Sequence, residues 1–251
     1  MTPDDRSAPA AAPAPSERRD FLQQMLAAGA AVAGAGLLGG CATTAAASPA
    51  ASAAPAAAAA PRAGQAQWDM SWREKLGRYK TAYDSPEIQN GAALAFAAAA
   101  AFGYESALGA GAREFTPVLI LRHTASVMTL DDAMWVRLGL GAAHTLKDPT
   151  SGEPATRNPF VGYKPGDRHT MIGAQAGIDT LVGAGAIVLT CNNALMGVAY
   201  QLRQKEPSLT RETAMAEVRR SVLPGVYVMP NGIFAVSAAQ DAGCHYMRVL
   251  V

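Results

Sequence analysis

Gly185-Ala186-Ile187-Val188-Leu189-Thr190-Cys191-Asn192-Asn193-Ala194-Leu195 runs from an apolar stretch through a cysteine into helix-forming residues. Ala186 to Thr190 reads as a strand, and Asn193 to Lys205 as the helix that follows it. Upstream, Val118-Leu119-Ile120-Leu121 is a second continuous apolar run, bounded by Pro117 and Arg122. A run without polar alternation suits a strand covered on both faces. Arg78 to Tyr83, Val226 to Met229 and His245 to Leu250 are further candidate strands.

Helical segments separate these strands. Asp84-Ser85-Pro86-Glu87 has the chemistry of a helix start, with Ser85 as cap, Pro86 at the first position and Glu87 at the positive end. The Ala-rich run carries that helix to Leu108. Thr129-Leu130-Asp131-Asp132 opens a helix through Trp135 and Leu138. Met171 to Val182 and Thr210 to Val222 follow, the latter capped by Thr210 with Glu212 and Glu217 on its outer side. Gly232 to Ala242, closed by Gly243, is the last. Strands alternating with helices predict an α/β fold, with a mainly parallel sheet of about five strands and helices on both faces. Lys147 to Arg168 interrupts the alternation with Pro149, Gly152, Pro154, Pro159, Pro165 and Gly166. Its turn chemistry predicts an excursion over the surface, of a length often tied to function.

In such sheets reactive groups gather at the carboxyl ends of strands. His123 and Cys191 fall at two of those ends. The helix after Cys191 brings free N–H groups and a positive end field to its sulfur, which favours the thiolate. The alternative is a small, inert, buried cysteine. His123 is a candidate partner that stabilises the thiolate or shuttles a proton, or else a histidine bonded to backbone. Asn192 and Asn193 are candidate ligand-binding amides or caps of the next helix. Asn231 is a further candidate ligand-binding amide, or with Gly232 a turn. Asp131 and Asp132 suit a helix dipole better than a metal. The four histidines, His123, His144, His169 and His245, lack zinc-like spacing. No phosphate-binding glycine loop follows a strand, so neither metal nor cofactor is expected.

The Cys191 turn resembles the strand–Cys–helix turn of DsrE-like proteins. Leu223-Pro224-Gly225-Val226 to Pro230-Asn231-Gly232, followed by Ala239-Gln240-Asp241-Ala242-Gly243, is similar to a later segment of that family. The order also corresponds: an Asp-containing strand end, a long helix, a strand ending in His, the Cys turn, then a Pro-Gly-Val strand. The resemblance covers Tyr79 to Val251. It implies a compact DsrE-like, flavodoxin-like three-layer fold, assembled as a homo-oligomer such as a trimer or hexamer. It also implies that Cys191 matches the cysteine that accepts sulfane sulfur as a persulfide in several members. Export and the long Lys147–Arg168 segment set this chain apart from the family's cytoplasmic sulfur relays.

The N-terminal quarter has a different character. Arg18-Arg19-Asp20-Phe21-Leu22 resembles a twin-arginine signal, and an uncharged Ala/Gly-rich segment from Gln23 to Gly40 follows. That implies passage through the twin-arginine export machinery to the periplasm. Leu38-Gly39-Gly40-Cys41 reads as a lipobox, with Cys41 the lipidated residue. Ordinary cleavage within Ala42–Ala47 is the alternative. Residues 1–41 are thus assigned to the signal, 42–67 to a disordered Ala/Pro linker, and 68–251 to one α/β domain. A net charge of +1 without a Lys/Arg cluster argues against nucleic acid as partner. The membrane would be reached only through a lipid at Cys41. Three cysteines are too few for a disulfide scaffold. A bond between Cys191 and Cys244 would abolish any carrier role, and spacing leaves that open.

The leading expectation is an exported DsrE-like protein that handles sulfane sulfur at Cys191. A non-catalytic oligomeric binding or assembly module is the first alternative. A periplasmic protein binding a small molecule under the Lys147–Arg168 segment is the second.

Overall fold

The computed structural model describes residues 68–111, 114–162 and 177–250. Arg18, Arg19, Cys41, the linker and His169 lie outside the described residues. Strands β1 (Tyr79–Ser85), β2 (Phe115–Leu121), β3 (Ile187–Cys191), β4 (Val226–Met229) and β5 (His245–Arg248) form one sheet. Their order is β4-β3-β2-β1-β5 and every pairing is parallel. The helices are α1 (Ala92–Leu108), α2 (Asp132–Leu138), α3 (Leu140–Ala143), α4 (Ile178–Gly183), α5 (Asn192–Lys205), α6 (Arg211–Arg220) and α7 (Gly232–Asp241). The expected α/β three-layer architecture with a mainly parallel sheet is therefore present.

Side chains alternate across a strand, so each central strand feeds two apolar layers. Leu119, Leu121 and Val188 meet α1 to α6 on one face, through residues such as Leu94, Trp135, Leu181, Leu195 and Val218. Val118, Ile120, Ile187 and Leu189 face the other way, onto Ala235, Ala238 and Ala239 of α7 and onto Trp72. This division places the site. The chain leaves β3 into α5 on the first face, but leaves the adjacent β4 into α7 on the second. A crevice opens at the carboxyl ends where neighbouring connections part to opposite faces.

Several elements start elsewhere than local chemistry predicts. Ser85 stays in β1, and its Oγ donates to the Glu87 carbonyl rather than capping a helix. Gln89, Asn90 and Gly91 take left-handed φ angles of 44°, 49° and 79°, so α1 begins only at Ala92. Gln89–Leu108 is long and apolar enough to span a membrane, yet its Ala92, Ala93, Leu94 and Ala97 are buried in the core. Pro117 lies inside β2, but β2 meets β3 only from Val118 onward, which fits proline's place at a ladder's end. The cap of α2 is Asp131, accepting from the Met134 N–H at 2.9 Å. Thr129 is instead buried and donates to the Ser126 carbonyl at 2.7 Å. Thr210 caps α6 as expected. Glu217 is not outward: it is half-buried and pairs with Arg137.

The segment after α3 is the largest departure. From Lys147 to Gly162 it is only in part a surface excursion: Thr150 to Pro154 are exposed, whereas Ala155, Asn158 and Phe160 are buried. Phe160 packs edge-on to Trp135, whose indole N–H donates to the Val127 carbonyl. Gly141 permits this: a Cβ there would fall 1.8 Å from the Ala155 carbonyl oxygen.

Candidate functional site

Cys191 ends β3 and also caps α5. Its backbone is extended, and its Sγ accepts the Ala194 N–H at 3.4 Å. That duty was expected of Asn192 or Asn193; the sulfur takes it because Cys191, one residue earlier, holds the N-cap position. Sγ thereby lies at the positive end of a 14-residue helix. Asn231 has the same role at α7, its Oδ1 accepting the Phe234 N–H at 2.8 Å, so Asn231-Gly232 is a cap rather than a free turn. The two helix starts face one another across a cleft of about 490 Å³, lined by Cys191, Asn193, Ala194, Asn231, Gly232, Ile233 and His123. This is the crevice that the divergence of α5 and α7 creates. Cys191 is only 6% exposed and forms part of the wall.

A charged network lies next to the cleft, and its members were not singled out as site residues by local pattern. Arg122, directly after β2, donates from Nε and Nη2 to the two carboxylate oxygens of Asp84 at 2.6 and 2.9 Å. Tyr246 of β5 donates its hydroxyl to the same carboxylate at 2.9 Å. Asp84 is buried, and burial alone would raise its pKa. Hydrogen bonds from Arg122 and Tyr246 and the charges of Arg122 and Arg248 outweigh that, and the carboxyl ends below its usual range. Arg122 is pushed up, first by its bond to Asp84 against the cost of burial, with Asp84, Tyr246 and Cys191 adding to the field. Its Nη1 lies 3.2 Å from His123 Nδ1. The one sequence signal for Arg122 is a charge that closes a wholly apolar run.

The structure brings together Cys191, His123, Asn193 and Asn231 among the residues expected to matter. Asn192 turns elsewhere, its side-chain oxygen accepting from Arg219 at 2.7 Å. Cys191 and Cys244 are both free thiols. The strand register puts Cys244 level with Lys80 and Cys191 one step beyond Ser85. They are thus separated by roughly 20 Å along the strands and by three strand spacings across them, well past the reach of a disulfide. Burial pushes the Cys244 thiol up, with only partial relief from Lys80. Among the described residues no group of His, Cys, Asp and Glu is arranged to hold a metal ion. A groove of about 280 Å³ between α5 and α6, lined by Met196, Tyr200, Arg203, Arg211 and neighbours, carries no thiol, carboxylate or imidazole. Comparison with family models, curated proteins and solved structures finds no match to this chain.

Proposed function

We propose that the protein is an exported, DsrE-like sulfane-sulfur carrier, with Cys191 as the acceptor. The observation that carries this reading is the position of Cys191 Sγ: in the wall of an open cleft, at the start of α5, with a backbone N–H donated to it. The Cys191 thiolate attacks the outer sulfur of a persulfide or of thiosulfate. The donor's S–S bond breaks, the remainder leaves with the electron pair (a thiolate from a persulfide, sulfite from thiosulfate), and Cys191 becomes the persulfide. One sulfur atom moves and no electrons are gained or lost overall. The N–H groups of the two facing helix starts are suited to the negative charge carried by such donors.

Mass spectrometry of the native protein after exposure to thiosulfate or glutathione persulfide tests this. A single added sulfur is expected on Cys191 and none on Cys244, with a mature N-terminus downstream of Arg19. A Cys191 that gains no sulfur from either donor overturns the carrier reading. An intact N-terminus on protein recovered from the periplasm removes the cleavable signal.

The same reading includes self-association. Ile233 and Phe234 of α7 are 67% and 40% exposed, and Tyr246 and Met247 on the edge strand β5 are each 44% exposed. These exposed apolar groups, of which Ile233 also lines the cleft, support an interface between copies. Light scattering is expected to give an oligomer mass, and a monomer mass across a wide concentration range removes this part.

A further inference from the structure

Arg122 is restrained from several directions. Asp84 takes Nε and Nη2, and the Tyr246 hydroxyl braces the same carboxylate. Its aliphatic stem runs against Gly232, where a Cβ would fall 2.5 Å from Arg122 Cβ and 2.7 Å from Cδ. What remains is Nη1, 3.2 Å from His123 Nδ1. A guanidinium carries donors only and keeps its charge. In that contact Nδ1 has to be the acceptor. The proton of the neutral imidazole is then on Nε2. The ring lines the cleft, and its one hydrogen bond found among the described residues is the one through Nδ1.

We propose that Arg122, held by Asp84 and Tyr246, is a positioning residue that fixes His123 as the Nε2–H tautomer and makes it a hydrogen-bond donor to the cleft. The target of that donor rests on the Cys191 reading; the tautomer does not. With Nδ1 occupied and Nε2 protonated, the neutral ring has no lone pair left with which to take a proton from Cys191. It donates instead to the negative group of the sulfur donor, or to the thiolate that departs as the donor's S–S bond breaks. In that step the electron pair leaves with the departing sulfur, the new S–S bond forms at Cys191, and Nε2 keeps its proton. His123 is therefore a stabiliser of the leaving group and not the base that activates the thiol.

Nitrogen-15 NMR of the full chain with labelled histidine reads the tautomer directly, since the chain has only four histidines. The His123 signals are assigned by their loss in His123→Gln. At a pH where the ring is neutral, wild-type His123 is expected as the Nε2–H form alone. The Asp84→Asn/Arg122→Gln double variant, whose amide at 122 can accept as well as donate, is expected to return to the mixture of an exposed imidazole. Wild-type signals already showing that mixture, or the Nδ1–H form, overturn the proposal. The second measurement is the rate at which glutathione persulfide loads Cys191. His123→Ala is expected to slow loading by about tenfold, and His123→Gln, with an amide nitrogen near the Nε2 position, to recover most of that loss. Equal loss in both variants would mean that the ring moves a proton, which overturns the donor role. Should Cys191 gain no sulfur in any form, the carrier reading falls while the spectrum still decides the tautomer. If the double variant does not fold, the wild-type spectrum and the Ala/Gln pair remain decisive.

Discussion

Replacing Arg122 by alanine is expected to cost about 3 kcal/mol of stability at neutral pH and to reverse the sign of Asp84's contribution to the domain's acid response. Asp84 is 2% exposed and receives two bonds from Arg122. Its folded pKa lies below the ordinary value, despite a burial effect in the other direction. A carboxyl depressed on folding contributes stability above its unfolded pKa of about 3.9, and loses it as pH falls through the lower folded value. Wild-type protein should therefore weaken at pH below about 4. Without Arg122 the burial effect, the largest single influence on Asp84, is opposed only by the Tyr246 bond and the Arg248 charge, and the folded pKa of Asp84 is expected to rise above the unfolded one. At Asp84 the folded state then binds more protons than the unfolded state, so this group's contribution to stability declines as pH rises through about 4 and beyond. Urea unfolding of both proteins over a pH series measures the two slopes. A loss well under 1 kcal/mol with an unchanged slope would show that Asp84 is not the buried partner described.

The second large effect is expected at Asn158, which is fully buried. Its Nδ2 donates to the Met128 and Leu130 carbonyls at 2.8 and 2.7 Å, and its Oδ1 accepts the Phe160 N–H at 2.9 Å. The side chain thereby fastens the segment after α3 to the turn before α2. Alanine removes all of these bonds in a place water reaches poorly, and a loss of about 3 kcal/mol follows, since each buried group losing its partner costs about 1–3. Asn158→Asp should be at least as damaging, because a carboxylate restores the acceptor but not the donors. Thermal unfolding of both variants checks this, with hydrogen exchange at Phe160 showing whether the segment loosens first. An alanine variant as stable as wild type would mean the segment is held by its apolar anchors alone.

The two predictions concern residues of different legibility. Strands β2, β3 and β4 are readable because their apolar runs leave few other options for Val118–Leu121, Ile187–Thr190 or Val226–Met229. The ends of β2 and β3 followed, and so did the placing of His123 and Cys191 near one another. Thr210 was readable as a cap because its signal is entirely local. Asp84, Arg122 and Tyr246 were not readable together, since 38 and 162 residues separate the partners that meet. Arg122 looked like a mere boundary, and Tyr246 one residue of a final strand. Asn158 looked like a loop residue among prolines because its partners are carbonyls, which leave no mark in a side-chain pattern. Tertiary packing likewise overrode the Ser85 capping signal: left-handed backbone at Gln89, Asn90 and Gly91 delays α1 to Ala92.

The pairing of β1 with β5 also sets a schedule for folding. Among the described strands β1 is the first to be synthesised, and it waits for β5 to cover its outer edge. Besides the ladder itself, the late segment brings the Tyr246 bond to Asp84 and the Val249 N–H to the Asp84 carbonyl oxygen at 2.9 Å. Contacts of such long separation are slow to form, because the loop-closure entropy comes before any reward. A growing chain can assemble β1 to β4 in order, each beside its predecessor, yet β1 keeps an open edge until β5 arrives. The network beside the thiol is therefore completed late: a chain truncated before Tyr246 keeps the two Arg122 bonds to Asp84 but lacks the hydroxyl that braces the same carboxylate, however much of the sheet has formed.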